Sequence, residues 1–434
     1  MQFKEYPSYK NSGVEWLGDV PSDWHVKRFG YIFSENKTKN RGLIENNVLS
    51  LSYGNIKEKN VEDNKGLLPE SFETYQLIEP NDIIFRFTDL QNDKRSLRSA
   101  ISNYKGIITS AYISVRTRQN AEYFNYLFRA YDLQKVYYSM GDGMRQSLKI
   151  DELNRMPITV PNQQIQTQIA NYLDQETQKI DTLIAKQEKL IELLEEQRKS
   201  VISHAVTKGL DPNAPMKDSG VEWLGDVPSH WNFTRIDGIS KIVRGNSAFA
   251  KADLLEAGQY IALQYGRTYK VDEINTSFNS YVNQEFFKDT QVANFQDVIL
   301  ISTSETLEDL GHSCFYALHN LGLIGGEQFL LKPKAHISGK YLYYATKAFS
   351  NFLQRYATGL KVFRFNLDDL KNIHIPNLSL EEQERIVCFV DQQTIRIDTL
   401  IQKQKSLIEK LKEYRASIIS HAVTGKIDVR ELVA

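Results

Sequence analysis

The 434-residue chain contains little of what would mark a secreted protein or a membrane protein. It has two cysteines, Cys314 and Cys388, and neither belongs to a CxxC or Cys/His metal-binding spacing. They indicate reduced, buried thiols in a cytosolic protein. The N-terminal residues lack the apolar core of a signal peptide, and no run approaches the roughly 18 apolar residues of a membrane helix. We therefore expect a cytoplasmic protein without membrane association.

Catalytic signatures are also missing. The chain has no GxxxxGK[ST] phosphate loop, no GxSxG elbow and no HExxH motif. It contains no Pro-Pro, and so no Asn-Pro-Pro-Tyr-like tetrapeptide. The glycine cluster at 322–326 is isolated and favours a turn. An enzyme is therefore the less favoured class, and we predict no catalytic residue and no metal site in this chain.

The overall charge is nearly balanced, with a formal net charge of −1. This balance does not exclude a nucleic-acid binder, because a local basic patch is what matters. Residues 25–160 contain 20 Lys and Arg against 16 Asp and Glu. Basic and amide side chains in loops can hold phosphates and reach base edges, although an ordinary solvated loop would have the same composition. The candidate DNA contacts are Arg86, Gln91, Asn92, Lys94, Arg95, Arg98, Lys105, Arg145, Arg244, Arg267, Lys361 and Arg364.

The most informative feature present is an internal repeat. Residues 12–22 and 219–229 share the same eleven letters, SGVEWLGDVPS. Further on, Ile180–Asp211 aligns without a gap to Ile397–Asp428, with 21 of 32 positions identical. The ends of each copy are alike, whereas the middles have diverged. This pattern predicts a scaffold that presents two different heads.

The repeat divides the chain into four predicted regions: 1–157, 158–218, 219–375 and 376–434. Head 1 (about 25–157) and head 2 (232–375) each show short strand-like runs followed by a helical stretch. That order predicts a mixed α/β or α+β fold. Weak echoes link the heads, such as Leu49–Gly54 with Ile261–Gly266.

A long helix is predicted in each of the regions 158–218 and 376–434, at about 40–45 residues or roughly 60–65 Å. Asn162 and Ser379 are the predicted N-caps, and glycines mark the C-terminal ends. Apolar residues at alternating spacings of three and four predict a seam through which each helix pairs with its twin. The predicted seam positions are Leu183, Gln187, Leu190, Leu194, Leu400, Gln404, Leu407 and Leu411.

Two features of these helices leave alternatives open. Gln187 and Gln404 occupy equivalent seam positions and either reach water or fix the register as buried amides. His204 and His421 recur in the last turn of each helix, where a cation offsets the helix dipole. The structural interpretation of these histidines is favoured over a metal site, because no second ligand lies nearby in sequence.

The repeated SGVEWLGDVPS segment, followed by Trp24 or Trp231, and the repeated IDTLI…ISHAVT helix resemble the DNA-specificity subunit of type I restriction-modification systems. The resemblance covers the whole chain. It implies that each head is a target recognition domain for one half of a split double-stranded DNA site. It also implies that the helices pair antiparallel as a coiled-coil spacer and bind modification (methyltransferase) subunits, with the restriction (motor nuclease) subunit joining that core. Two copies of one frame imply two copies of one partner site, and hence two modification subunits for each chain.

The sequence lacks the cofactor and base-flipping motifs of methyl transfer, so S-adenosylmethionine is expected in the partner modification subunit. The family's base-reading residues follow no fixed motif and none is carried over. Two other classes stay open: a coiled-coil adaptor whose heads bind proteins, and a self-contained modification enzyme. Salt-dependent binding to duplex DNA would distinguish a DNA-specificity subunit from the adaptor.

Overall fold

The computed structural model describes residues 4–60, 69, 71–88, 97–140, 147–246 and 249–432. The chain divides into two compact units. Unit 1 comprises Met1–Gln187 with Lys405–Ala434, and unit 2 comprises Glu188–Gln404. Each unit therefore contains one head, part of the helix that follows it and part of the other long helix. Within the described residues, no helix is long and apolar enough to cross a membrane.

The first copy of the repeat begins with two short strands and ends with a 46-residue helix. Its elements are β1 (Tyr9–Asn11), β2 (Asp19–Pro21), β3 (His25–Arg28), β4 (Phe33–Glu35), β5 (Leu49–Ser52), β6 (Asn55–Glu58), β7 (Gln76–Ile78), β8 (Ile83–Phe85), β9 (Ser99–Ile101), β10 (Gly106–Ile108), β11 (Ile113–Thr117), α1 (Ala121–Leu133), α2 (Ile150–Arg155), β12 (Pro157–Val160) and α3 (Gln163–Lys208).

The second copy has the same plan with more strands and ends with a 44-residue helix. Its elements are β13 (Met216–Asp218), β14 (Asp226–Pro228), β15 (Asn232–Arg235), α4 (Ile236–Ile239), β16 (Ser240–Arg244), β17 (Tyr260–Leu263), α5 (Tyr265–Thr268), β18 (Glu273–Ile274), β19 (Tyr281–Val282), β20 (Val292–Ala293), β21 (Val298–Ile301), β22 (Thr303–Ser304), β23 (Ser313–Tyr316), β24 (Gly322–Ile324), β25 (Gln328–Pro333), α6 (Gly339–Leu353), β26 (Phe363–Arg364), α7 (Leu367–Lys371), β27 (His374–Asn377) and α8 (Leu380–Val423).

Head 1 is built on an antiparallel sheet of order β4-β11-β8-β9. Alternate residues of β8 point to opposite faces, as the pleat of a strand requires. Ile83 and Phe85 pack with α1 in an aromatic core, and Ile84 packs against the small strands on the other side. Both faces are therefore covered, which explains why this strand is apolar throughout.

Head 2 repeats this layering on a larger scale, with a five-stranded sheet of order β16-β25-β21-β23-β18. Val298 and Leu300 of β21 pack on the α6 side, whereas Ile299 packs on the side of a second sheet, β19-β17-β24-β20. The predicted mixed α+β fold of both heads is confirmed.

The repeated segments form equivalent contacts in the two units. Trp24 and Trp231 are buried, and β3–β12 and β15–β27 are antiparallel pairs. Each long helix begins at the predicted cap: Asn162 accepts from the backbone N–H of Ile165, and Ser379 accepts from that of Glu382. Gly209 and Gly425 follow the two helix ends with φ of 74°, the left-handed conformation that terminates helices.

The helix pairing is confirmed within each unit, but half of the predicted seam is wrong by one residue. In unit 2, Leu194 packs with Ile191, Ile397 and Ile401. In unit 1, Ile180 and Ile184 belong to the same core as Leu411 and Ile418. The seam thus follows the heptad positions 180, 184, 187, 191, 194, 198 and 201, and 397, 401, 404, 408, 411, 415 and 418. The predicted seam residues Leu194 and Leu411 are confirmed, and Gln187 and Gln404 lie half-buried on the seam.

The four remaining predicted seam positions are exposed. Leu183, Leu190, Leu400 and Leu407 have relative exposures of 44%, 39%, 43% and 40%. Both the true and the predicted rows repeat every seven residues, and both carry aliphatic side chains. From any seam residue, the next one along the helix can lie three or four positions further, and both patterns meet again at the seventh residue. The sequence pattern alone therefore does not decide which of the two rows forms the seam.

The pairing register is marked by two equivalent ion pairs, one in each unit. In unit 1, Arg415 Nε lies 3.1 Å from Asp181 Oδ1; in unit 2, Arg198 Nε lies 3.1 Å from Asp398 Oδ1. Each arginine and each aspartate is separated from its counterpart by 217 residues, the offset of the repeat. Asp181 of α3 contacts Arg415 of α8, and Arg198 of α3 contacts Asp398 of α8. The residue number rises along α3 while that of the partner on α8 falls, so the helices are antiparallel.

Candidate nucleic-acid interface

One end of the five-stranded sheet in head 2 gathers basic side chains. Arg244 ends β16 opposite Phe329, and Ile301 ends β21 opposite Gln328. Because the strands are antiparallel, the end of β16 and β21 coincides with the start of β25. We call this the basic end of head 2. Arg244 is exposed there.

The short helix α5 is fixed to the basic end of head 2 by a buried amide. Gln328 donates from Nε2 to the Leu263 carbonyl oxygen at 2.7 Å, and its Oε1 accepts from Thr268 Oγ1 at 2.7 Å. These bonds hold both ends of the segment that carries Arg267, whose side chain is exposed. Neighbouring Tyr265 stacks on Tyr269 with ring centroids 5.3 Å apart.

A tight loop brings two more predicted residues to the same end. Thr358 and Arg364 exchange backbone hydrogen bonds of 2.9 and 3.0 Å. Strand β26 pairs with β22, and Tyr265 Oη lies 3.1 Å from Ser304 Oγ of β22. The loop exposes Lys361 and Arg364. Four residues predicted from sequence therefore lie at the basic end of head 2: Arg244, Arg267, Lys361 and Arg364.

A cavity of about 670 Å³ opens beside α5. Its lining carries three cations and two carboxylates, together with amide and phenol groups that can donate and accept. Such a lining suits a nucleic acid, because ammonium and guanidinium groups bind phosphates and Gln or Arg side chains reach base edges. Sequence reasoning did not select Lys251, Gln264 or Lys270, which line it. The Gln264-Tyr265-Gly266-Arg267 run was the available signal, since it continues the echo between the two heads.

In head 1, Arg86 follows β8 at the end of the sheet where β9 begins. Its backbone N–H donates to the Arg98 carbonyl oxygen at 2.8 Å, and its side chain is half-buried. We call this the basic end of head 1. Gln91, Asn92, Lys94, Arg95 and Arg145 lie outside the described residues.

The assignment of Arg98 as a DNA contact is wrong. The residue is fully buried, its backbone N–H donates to the Asp132 carboxylate, and its Nη1 donates to the Thr88 carbonyl oxygen at 3.1 Å. Burial raises the pKa of Asp132 above its ordinary value, while the hydrogen bond from Arg98 opposes that rise. Arg98 therefore stabilises the end of the sheet instead of facing a ligand.

Lys105 is exposed but lies away from the other candidates of head 1. Strand β9 pairs with β8 in the register Ser99 to Phe85 and Ile101 to Ile83. The turn after Ile101 is thus at the opposite end of the sheet from Arg86. There the Lys105 carbonyl oxygen accepts a hydrogen bond of 2.9 Å from Asn47 Nδ2. The structure does not bring Lys105 together with Arg86.

In the part of the chain that the structure describes, no group of three or more His, Cys, Asp or Glu side chains could hold a metal ion. His204 and His421 are exposed near the helix ends. Both cysteines are free thiols; Cys314 is buried as predicted, whereas the prediction of burial is wrong for Cys388, which is exposed on α8. Burial raises the pKa of the Cys314 thiol to about 12, which leaves it protonated at neutral pH.

Comparisons with known proteins agree with this architecture. The family model for the type I restriction modification DNA specificity domain matches residues 228–410. The chain is 22% identical over 462 residues to the type I restriction enzyme MjaVIII specificity subunit of Methanocaldococcus jannaschii, covering 100% of this chain and 99% of that protein.

Two solved structures show the same fold. One comes from a study of complex assembly and conformational transition of the type I R-M system, with a TM-score of 0.70, 16% identity and coverage of 93% of this chain and 98% of that chain. The other is the HsdS subunit from Thermoanaerobacter tengcongensis, with a TM-score of 0.54, 16% identity and coverage of 94% and 98%. This chain is therefore similar to specificity subunits of type I restriction enzymes in sequence over its whole length, and it shares the fold of the HsdS subunit.

Proposed function

We propose that the chain is the non-catalytic, DNA-reading subunit of a type I restriction-modification complex. Each head reads one half of a bipartite double-stranded DNA site. The observation that carries this proposal is the pair of equivalent frames, marked by Arg415–Asp181 and Arg198–Asp398, around heads whose basic ends differ. Equal frames suit two half-sites on the regular duplex, as in other two-fold readers of B-DNA. Unequal heads suit an asymmetric target.

The frame also supplies repeated docking positions for partners. Leu183 and Leu400 are equivalent in the repeat, as are Leu190 and Leu407. All four side chains lie outside the helix seam and are exposed. Exposed aliphatic side chains that are rimmed by polar residues can form a protein interaction surface, and we assign that role to these leucines because they recur in both copies. Two copies of one surface fit two modification subunits for each chain. The restriction subunit would join this core, and S-adenosylmethionine would bind to the modification subunits.

A head exchange tests the proposal directly. The chain is co-expressed with its modification subunit, and the methylated sequence is read by methylation-aware sequencing of host DNA. Replacing residues 25–157 with a different head should change one half of the target and leave the half read by 232–375 unchanged. A change in both halves by a folded complex would contradict the division of labour.

Two further measurements separate the proposal from a protein-binding adaptor. Binding of the complex to its duplex should weaken steeply with salt, because phosphate contacts release counterions. Native mass measurement should show two modification subunits for each specificity chain. Binding that is indifferent to salt and sequence would support the adaptor instead.

A further inference from the structure

A single tyrosine is displayed at the tip of a hairpin in head 1. Strands β5 and β6 pair from Leu49 and Glu58 up to Ser52 and Asn55, so that Tyr53 and Gly54 form the two-residue turn. Tyr53 is 75% exposed. Its φ is 47° and that of Gly54 is 73°. Positive φ at both positions is the geometry of tight hairpins, but it is uncommon for a bulky residue such as tyrosine.

The rest of head 1 holds this tip in place. Arg129 of α1 donates from Nη2 to the Gly54 carbonyl oxygen at 2.7 Å. A Cβ at position 54 would lie 2.5 to 2.7 Å from the Arg129 guanidinium, which would have to shift, and the positive φ also favours glycine. Behind the turn, Leu51 and Ile56 are buried. The ring of Tyr53 is therefore presented by a fixed hairpin.

The hairpin tip lies at the basic end of head 1. Arg129 contacts the tip, and Asp132, three residues further along α1, accepts from the Arg98 backbone N–H. The carbonyl oxygen of Arg98 in turn accepts from the backbone N–H of Arg86. Three successive contacts thus connect the tip to the sheet end that carries Arg86.

Head 2 places the same dipeptide at its own basic end. Tyr265-Gly266 aligns with Tyr53-Gly54 in the echo between the heads, and Tyr265 lies beside Arg267 and contacts Ser304. In head 2 the ring is partly covered by Tyr269, whereas in head 1 it is exposed. A tyrosine therefore recurs at the corresponding end of both heads.

We propose that Tyr53 is an aromatic DNA contact of head 1, whose ring packs against a nucleotide of the first half-site. This assignment rests on the proposed function. Aromatic rings bind nucleotides by stacking on a base or wedging at a base step, and phosphate-binding residues around them fix the duplex. The fixed hairpin favours such a contact, since little conformational freedom is lost when the ring engages.

The test uses the complex with modification subunits and three variants. Tyr53→Asn removes the ring while keeping the backbone, because asparagine adopts positive φ readily. Tyr53→Phe keeps the ring. Tyr104→Asn is the matched control, since Tyr104 is an exposed tyrosine of the same head in the turn at the opposite end of the sheet. Affinity is measured on the cognate duplex and on duplexes with either half-site scrambled.

Tyr53→Asn should weaken binding to the cognate duplex by about tenfold or more, as loss of an aromatic base contact does. Tyr53→Phe and Tyr104→Asn should bind like the wild type. The loss should vanish on the duplex with a scrambled first half-site and persist when the second is scrambled.

Wild-type affinity of Tyr53→Asn for the cognate duplex, in a complex that discriminates cognate from scrambled DNA, would overturn the assignment and leave the proposed function intact. Dissociation of the modification subunits by Tyr53→Asn would overturn it too, because the ring would then contact protein. A wild-type complex that fails to discriminate would refute the proposed function itself.

Discussion

In unit 1, the side chain of Gln166 on α3 joins the long helix to the head: Oε1 accepts from the Asn120 backbone N–H at 3.2 Å, and Nε2 donates to the Pro161 carbonyl oxygen at 2.8 Å. Gln383 on α8 makes the same contacts in unit 2, accepting from Ser338 at 2.8 Å and donating to Leu378 at 2.9 Å. Both glutamines are fully buried. The two units are thus equivalent where a buried glutamine joins the long helix to the head.

The two heads differ at an equivalent position of α1 and α6. Tyr123 and Tyr341 follow the N-caps of α1 and α6 and are 218 residues apart in sequence. Arg129 and Lys347 are also 218 residues apart, so they occupy equivalent positions in the two helices. Arg129 contacts the Gly54 carbonyl oxygen, whereas Lys347 Nζ lies 2.5 Å from Asp272 Oδ1. The same helix position therefore supports a hairpin tip in one head and an ion pair in the other. A repeated frame tolerates such divergence because each cation still finds a local oxygen acceptor.

The largest effect should come from the helix seam, where the structure distinguishes two adjacent residues. Ile401 is buried against Leu194, and Leu400 is exposed. We expect Ile401→Ala to lower the free energy of unfolding of unit 2 by about 2–4 kcal/mol, and Leu400→Ala to change it by less than about 0.5 kcal/mol. Urea unfolding of the two variants checks this. Equal losses would show that the seam has another phase.

The same pair of residues shows what the sequence could and could not predict. The repeat, the length of both helices and their caps followed from local chemistry, and Asn162 and Ser379 lie where a cap was predicted. The phase of the seam could not be predicted, because Leu400 and Ile401 are both aliphatic. Only the partner helix decides which of the two is covered.

The candidate site was predictable to a similar degree. The sequence selected Arg267 and Arg364 in head 2, which the structure brings to one end. It also selected Arg98, because charge alone does not reveal that its guanidinium is buried and donates to the Thr88 carbonyl oxygen. Tyr53 carries no charge, and its significance depends on a turn conformation that becomes visible only in the fold.

The buried glutamines should produce the next largest effect, and an equal one in both units. Replacing Gln166 or Gln383 with leucine keeps the size of the side chain but leaves buried backbone groups without a partner. We expect each change to cost roughly 2 kcal/mol of unfolding free energy in its own unit. Gln178→Ile is the control, because Gln178 is exposed and the repeat itself has Ile395 at the equivalent position. A large loss for one glutamine and none for the other would break the equivalence of the frames.

The smallest effect concerns the ion pair that distinguishes head 2. Asp272 lies between Lys347 and Arg198, with Oδ1 2.5 Å from Lys347 Nζ and Oδ2 3.2 Å from Arg198 Nη2. Burial acts to raise the pKa of Asp272, but the two cations outweigh burial and leave the pKa below its ordinary value. Because the folded-state pKa is lowered, the stabilisation is complete above the unfolded pKa and is lost as the pH falls through the folded value.

We therefore expect Asp272→Asn to lower the free energy of unfolding of unit 2 by about 1 kcal/mol at neutral pH, since the carboxylate is partly exposed and solvent weakens the pair. The difference from the wild type should stay constant down to about pH 5 and shrink below about pH 4, where the wild-type carboxylate begins to bind a proton. Exposed Asp289 provides the matched control, and we expect Asp289→Asn to leave the free energy of unfolding unchanged at every pH. A difference that does not change with pH would mean that the stabilising contact at Asp272 is not ionic. Head 2 would then differ from head 1 in packing, and the exchange of Arg129 for Lys347 would carry no electrostatic consequence.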